Sequence, residues 1–220
     1  MKRMIGLPVL LGALTLLAAG LAQARHHRDI REGGVPGQFD YYLLTLSWSP
    51  AYCILHPQDG AQCQGRGYGF VLHGLWPQFD NGGYPQFCSG QRLPRDAFAL
   101  GARIYPSPKL VNHEWERHGT CSGLGPAGYF QAADRALAVV KIPPLLEAPR
   151  ADLTMTGGQI EAAFRAANPD LPASALTVAC GRGELSEVRV CLTRDLRARA
   201  CGRGVRSSCP PYPVRVRSVR

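Results

Sequence analysis

Eight cysteines, Cys53, Cys63, Cys88, Cys121, Cys180, Cys191, Cys201 and Cys209, constrain this chain more than any other feature. Their number is even and no two stand as C-x-x-C, so four disulfides are a better reading than a zinc site. Counting alone leaves the pairing open. Disulfides require an oxidising compartment, and the N-terminus agrees. "MKRMIGLPVLLGALTLLAAGLAQA" has Lys2 and Arg3, an apolar run from Ile5 to Leu21 and a small-x-small site at Ala22–Ala24. These are the three parts of a secretory signal. Residues 1–24 are therefore expected to be removed, leaving a domain over 25–220, exported to the periplasm or the medium. No other stretch is apolar and long enough to cross a bilayer.

Losing Lys2 and Arg3 leaves 23 basic against 16 acidic residues. This excess fits a polyanionic partner but equally fits simple solubility. Two apolar runs read as buried strands, "FDYYLLTLSW" ending at Ser49-Pro50 and "YGFVLHGLW" over Tyr68–Trp76. "LTVACG" (Leu176–Gly181) and "SEVRVCLT" (Ser186–Thr193) read as a further, antiparallel pair. Helices are expected over Arg95–Arg103, over Lys109–His118 with Gly119 as a C-terminal stop, and over Pro126–Lys141. A fourth should open at the capping box Thr156–Gln159 and run to about Ala167. Arg25–Gln38 reads as a loose arm, and Cys53–Gly67 and Pro77–Pro94 as loops. The expected fold is α+β, a single disulfide-bonded domain with a central, mainly antiparallel sheet packed by helices.

Chemistry concentrates in two segments. "HEWERHGTC" spans His113–Cys121, and "HGLWPQ" spans His73–Gln78 at a strand end. A zincin helix needs histidines four apart, whereas His113 and His118 are five apart, about 140° round a helix. His113, Glu114, Arg117 and His118 nonetheless share one side. Two imidazoles near neutral pH suit acid–base work, one accepting a proton while the other donates. Arg117 adds a fork of donors for phosphate oxygens. Cleavage of an RNA phosphodiester needs that set: a base for the 2′-hydroxyl, an acid for the departing 5′-oxygen, and a cation for the charge on phosphorus.

At these residues the chain resembles the ribonuclease T2 family of secreted, disulfide-bonded endoribonucleases. The family's signatures run approximately H-G-L-W-P and H-E-W-x-K-H-G-T-C, and both occur here in order. "LSWSPAYC" (Leu46–Cys53) is similar to the family's first strand, and the likeness is weakest beyond Pro143. The resemblance implies His118 as general base, His73 as general acid, His113 on phosphate, and Glu114 and Arg117 supporting the transition state. It implies a base pocket from Trp76, Tyr84 and Gln78, with single-stranded RNA as partner, a monomer, and neither cofactor nor metal. It also implies the disulfides Cys53–Cys63, Cys88–Cys121, Cys180–Cys209 and Cys191–Cys201. Two positions depart from the pattern: Arg117 stands where the family has lysine, and Gln78 where some members have aspartate. Two other readings stay open, a zinc hydrolase using His113, Glu114 and His118, and a binding protein that has lost catalysis. His26, His27 and His56, and the basic run Arg203, Arg206, Arg215, Arg217 and Arg220, read as solvated surface.

Overall fold

A computed structural model describes residues 30–220. The candidate signal segment and the first residues of the arm lie outside them. In chain order the described elements are β1 (Ile30–Glu32), β2 (Tyr41–Trp48), α1 (Ser49–Leu55), α2 (Gly60–Cys63), β3 (Phe70–Gln78) and β4 (Tyr84–Gln86). Next come α3 (Arg95–Gly101), α4 (Pro108–Arg117), a 3-10 turn at Gly119–Cys121, α5 (Gly125–Val139), α6 (Pro144–Glu147) and β5 (Leu153–Met155). The chain ends with α7 (Gly157–Ala167), a 3-10 turn at Ala173–Ala175, β6 (Leu176–Gly181), β7 (Glu184–Leu192) and β8 (Val214–Val216). No described helix is long and apolar enough to cross a membrane.

The fold is α+β, as expected. Its main sheet runs β3-β2-β7-β8-β5, with β6 also paired to β7. Every pairing in it is antiparallel except the contact of β7 with β8 at Glu184 and Arg215. β2 is buried at every residue because it has a strand on each edge and packed side chains on both faces. Its even-numbered residues, Tyr42, Leu44, Leu46 and Trp48, enter the main core with Val188, Val190 and Leu192 of β7. Helices α3, α4, α5 and α7 contribute Ala97, Val111, Trp115, Phe130 and Phe164 to that core. Tyr41 and Leu43 face the other way, with Cys191 and Trp76. This second face carries the site.

Several segments are more ordered than the sequence implies. The arm is held down: β1 pairs in parallel with β4, and Gly37 donates to the Cys121 carbonyl. Ser49-Pro50 does not merely end a strand. Proline sits in the first turn of α1, where its missing N–H costs nothing, so the expected Cys53–Gly67 loop is partly helical. In the tail, Arg215 and Arg217 pair with Asp152 and Glu184 instead of remaining free. Gly119 does not act as a left-handed stop, since the chain continues into a 3-10 turn and its φ is not positive. A Cβ there would lie 2.6 Å from Trp115 Cε3 and 2.8 Å from Tyr129 Cδ1, so glycine is needed for close packing. The capping box of α7 is present, with Thr156 and Gln159 each bonding the other's backbone N–H.

All four disulfides join the partners the resemblance implied. Cys88–Cys121 links the segment after β4 to the 3-10 turn directly following His118. Replacing Cys88 and Cys121 by serine should cost about 2–5 kcal/mol of stability. It should also speed amide exchange in the 118–121 turn, which the same change at Cys53 and Cys63 should leave protected. Equal exchange at that turn in both variants would show that the bond does not brace this part of the molecule.

Candidate active site

A bulge in β3 assembles the site. Thr45 of β2 faces Gly74, yet Leu46 faces Leu72, so His73 is an extra residue with no partner on β2. Strand side chains alternate, and without the extra residue His73 and Trp76, three apart, would lie on opposite faces. With it, Leu72 and Leu75 both enter the core while His73 and Trp76 turn to the second face. The two rings meet edge to face at 4.9 Å.

Helix α4 brings the other half. Ser107 caps it by accepting from Leu110 N–H, and Pro108 occupies its first turn. Val111 and Trp115 anchor one side in the core, which turns Glu114 and His118 towards Trp76. The indole N–H donates to Glu114 Oε2 at 2.8 Å, and the indole ring stacks on His118 at 5.2 Å. Trp76 thus touches both histidines. A Cβ at Gly74 would collide with Trp76 Nε1 and Glu114 Oε2, so only glycine fits there. Tyr84 lies 5.9 Å from the His118 ring and accepts a hydrogen bond from Arg117 at 3.2 Å. Arg117 also lies over Phe87. His113 is exposed and its ring is 6.3 Å from His118. Gln78 is buried, and its amide donates to the neighbouring Pro77 carbonyl.

The two imidazoles differ sharply in environment. Burial drives the pKa of His118 well below 6.5, and the charges of Arg117, His113 and His73 push the same way. Its Nδ1 is buried with no hydrogen-bond partner among the described residues, a poor place for a cation. His73 is shifted upwards: burial opposes its charge, but the hydrogen bond and charge of Glu187, aided by Glu114, prevail. His113 is lowered by desolvation and by Arg117 and His73. His113, Glu114 and His118 each offer a ligand atom within 4.8 Å of the others, closer than ideal helical spacing implies.

The sequence reading missed Glu187 and Arg189 on β7. Glu187 Oε1 lies 2.8 Å from His73 Nδ1, and Arg189 holds its other oxygen through two bonds, at 2.9 and 2.5 Å. The signal was present in "SEVRVCLT". Val188 and Val190 alternate with Glu187 and Arg189, so the two charges share the face opposite the core.

Glu114 is fully buried, and burial lifts its pKa from 4.5 to about 8, although His73 and the indole bond act against this. The sign follows. A carboxyl that binds its proton more tightly when folded costs nothing below pH 4.5, destabilises progressively as pH rises to about 8, and adds no further cost above that. Glu114→Gln keeps an acceptor for the indole and removes the acid. Its stability gain over the parent should grow between pH 4.5 and 8, at roughly 1.4 kcal/mol per unit as an upper bound. Thermal unfolding at pH 4, 6 and 8 measures this, and a gain independent of pH would contradict it.

With the geometry in place, relatives become informative. Residues 39–201 match the family model described as the Ribonuclease T2 family. A ribonuclease of Aeromonas hydrophila is 46% identical over 133 residues, covering 60% of this chain and 56% of that protein. A probable ribonuclease of Haemophilus influenzae is matched over 44% of its length, so the match spans about half of these two curated relatives. Ribonuclease DdI of Dictyostelium discoideum is 31% identical over 197 residues, covering 82% of this chain and 84% of that one. The fold is similar to that of an RNase-related protein from Calystegia sepium, with TM-score 0.64, 23% identity, and coverage of 80% of this chain and 96% of that one. It is also similar to trichomaglin, described as an S-like ribonuclease, with TM-score 0.66, 21% identity, and coverage of 83% and 100%. The family match covers most of the chain and includes both histidine segments, and the chain belongs to the ribonuclease T2 family.

Proposed function

We propose that this protein is an exported endoribonuclease that cleaves single-stranded RNA without a metal, acting as a monomer in the periplasm or the medium. One observation carries the reading: two imidazoles touch the same indole while their surroundings push their pKa values in opposite directions. Pairs of titratable groups driven apart in this way mark an acid and a base.

Neutral His118 takes the proton of the 2′-hydroxyl, and the freed oxygen attacks phosphorus. The bond from phosphorus to the 5′-oxygen breaks as protonated His73 delivers its proton to that oxygen. The product is a 2′,3′-cyclic phosphate. Water then opens the ring to a 3′-phosphate with the two roles reversed. Arg117 and His113 bind the phosphate oxygens and offset the charge that builds up on them. Glu114 holds the indole between the two histidines. Trp76 and Tyr84 offer aromatic faces for a base. A cavity of 180 Å³ bordered by His73, His113, Tyr52, Asp59, Lys109 and Leu110 has room for the leaving nucleoside beside the acid. A solved relative, a mutant of RNase MC1, was captured with 5′-UMP, which supports a nucleotide ligand for this fold.

The close grouping of His113, Glu114 and His118 favours one competing reading, hydrolysis assisted by a divalent ion. Cleavage of bulk RNA in excess EDTA, with the product ends identified, separates the two. Cleavage should persist and leave cyclic or 3′-phosphate ends. His118→Ala should lower the rate by about 10²–10⁴-fold while RNA binding remains. Loss of cleavage in EDTA with recovery on adding zinc would establish the metal reading, and binding without cleavage under any condition would establish a binding protein.

A further inference from the structure

His73 and Glu187 sit on strands that are not neighbours. β2 runs between β3 and β7, so the two backbones are separated by two strand spacings, roughly 9–10 Å. Both side chains must therefore bend over β2 to meet at 2.8 Å. What lies beneath is small: Ser47 is directly opposite Glu187 and its hydroxyl lies 3.5 Å from the same oxygen. The bulge supplies the other half of the reach by leaving His73 free of a partner on β2. Arg189, two residues along β7, places two charge-assisted hydrogen bonds on the second oxygen of Glu187.

We propose that Glu187 is a positioning residue for the reaction: across β2 it accepts the Nδ1 hydrogen of His73 and holds the imidazole in the tautomer and rotamer that present Nε2 to the cleft. Arg189 keeps the carboxylate in place. An ionised carboxylate can only accept, so the bond assigns the hydrogen to Nδ1. Burial of Glu187 works against its charge, but the bonds from His73 and Arg189 outweigh this and hold its pKa at about 2. Nε2 of His73 makes no hydrogen bond among the described residues, and about a third of the side chain (35%) is exposed. The charged or titratable groups around His73 are Glu187 and Arg189 from β7, Glu114 and His113 from α4, His118 just after that helix, and Tyr52, Asp59 and Lys109 around the adjoining cavity. Glu187 is the carboxylate bonded to the ring, and Glu114 adds a weaker push in the same direction.

The inference rests on the reading of His73 as general acid, and the experiment keeps the two apart. The rate of RNA cleavage is measured against pH for the parent, His73→Ala, Glu187→Gln and Glu187→Asp. Glu187→Gln should lower kcat about tenfold or more with little change in KM. Its alkaline limb should move to lower pH, because the acid must be protonated and loses the charge that kept it so. Glu187→Asp should restore part of both effects. A limb and kcat matching the parent's, beside an inactive His73→Ala, would overturn the role of Glu187 alone. Full activity in His73→Ala would overturn the acid assignment itself. Nitrogen NMR of the parent gives a readout that does not depend on any variant folding. Neutral His73 should carry its hydrogen on Nδ1, and finding it on Nε2 would overturn the proposal.

Discussion

The single inserted residue in β3 is the constraint from which the site follows. A regular strand would send either His73 or Trp76 into the core, and neither could then meet α4. By adding a residue between Leu72 and Leu75, the bulge keeps both leucines buried and turns the imidazole and the indole to the same face. Everything else converges on that pair. Gly74 leaves space for the indole bond to Glu114, Val111 and Trp115 orient α4, and Cys88–Cys121 braces the turn after His118. The bulge also frees His73 to lean across β2 to Glu187, linking three strands and one helix through side chains alone.

The second theme is electrostatic asymmetry made from similar parts. His118 is buried beside cations, and its Nδ1 has no partner among the described residues. His73 sits a few ångströms away across the indole and faces a carboxylate that its own bond and Arg189 keep ionised. The same residue type is thus biased towards opposite protonation states near neutral pH, as the proposed acid–base roles require. Glu114 carries the cost of this arrangement. A fully buried acid destabilises the fold at neutral and alkaline pH, a trade of stability for site geometry of the kind common at reacting centres.

Much of this was legible in the residues. The strands over Tyr41–Trp48 and Phe70–Gln78 follow from apolar runs, and α7 from its capping box, because these signals are local. The two histidine segments stood out as clusters of titratable residues, but their roles and the disulfide partners came from resemblance, since no rule of spacing pairs Cys180 with Cys209. What could not be read was non-local. The bulge at His73 exists only relative to β2, and Glu187 is 114 residues from the ring it binds. The arm after Ile30 looked loose because its order comes from pairing with β4. Gly119 resembled a helix stop, but its reason is the proximity of Trp115 and Tyr129.

The central claim is that one cleft holds two histidines tuned in opposite directions, and titration of their ring resonances in the free protein tests it most directly. The account predicts that His73 titrates above 6.5 and His118 well below it, so that between the two midpoints the first is charged while the second is neutral. Two midpoints together near 6.5, or the reverse order, would contradict it and remove the physical basis for assigning base and acid as done above.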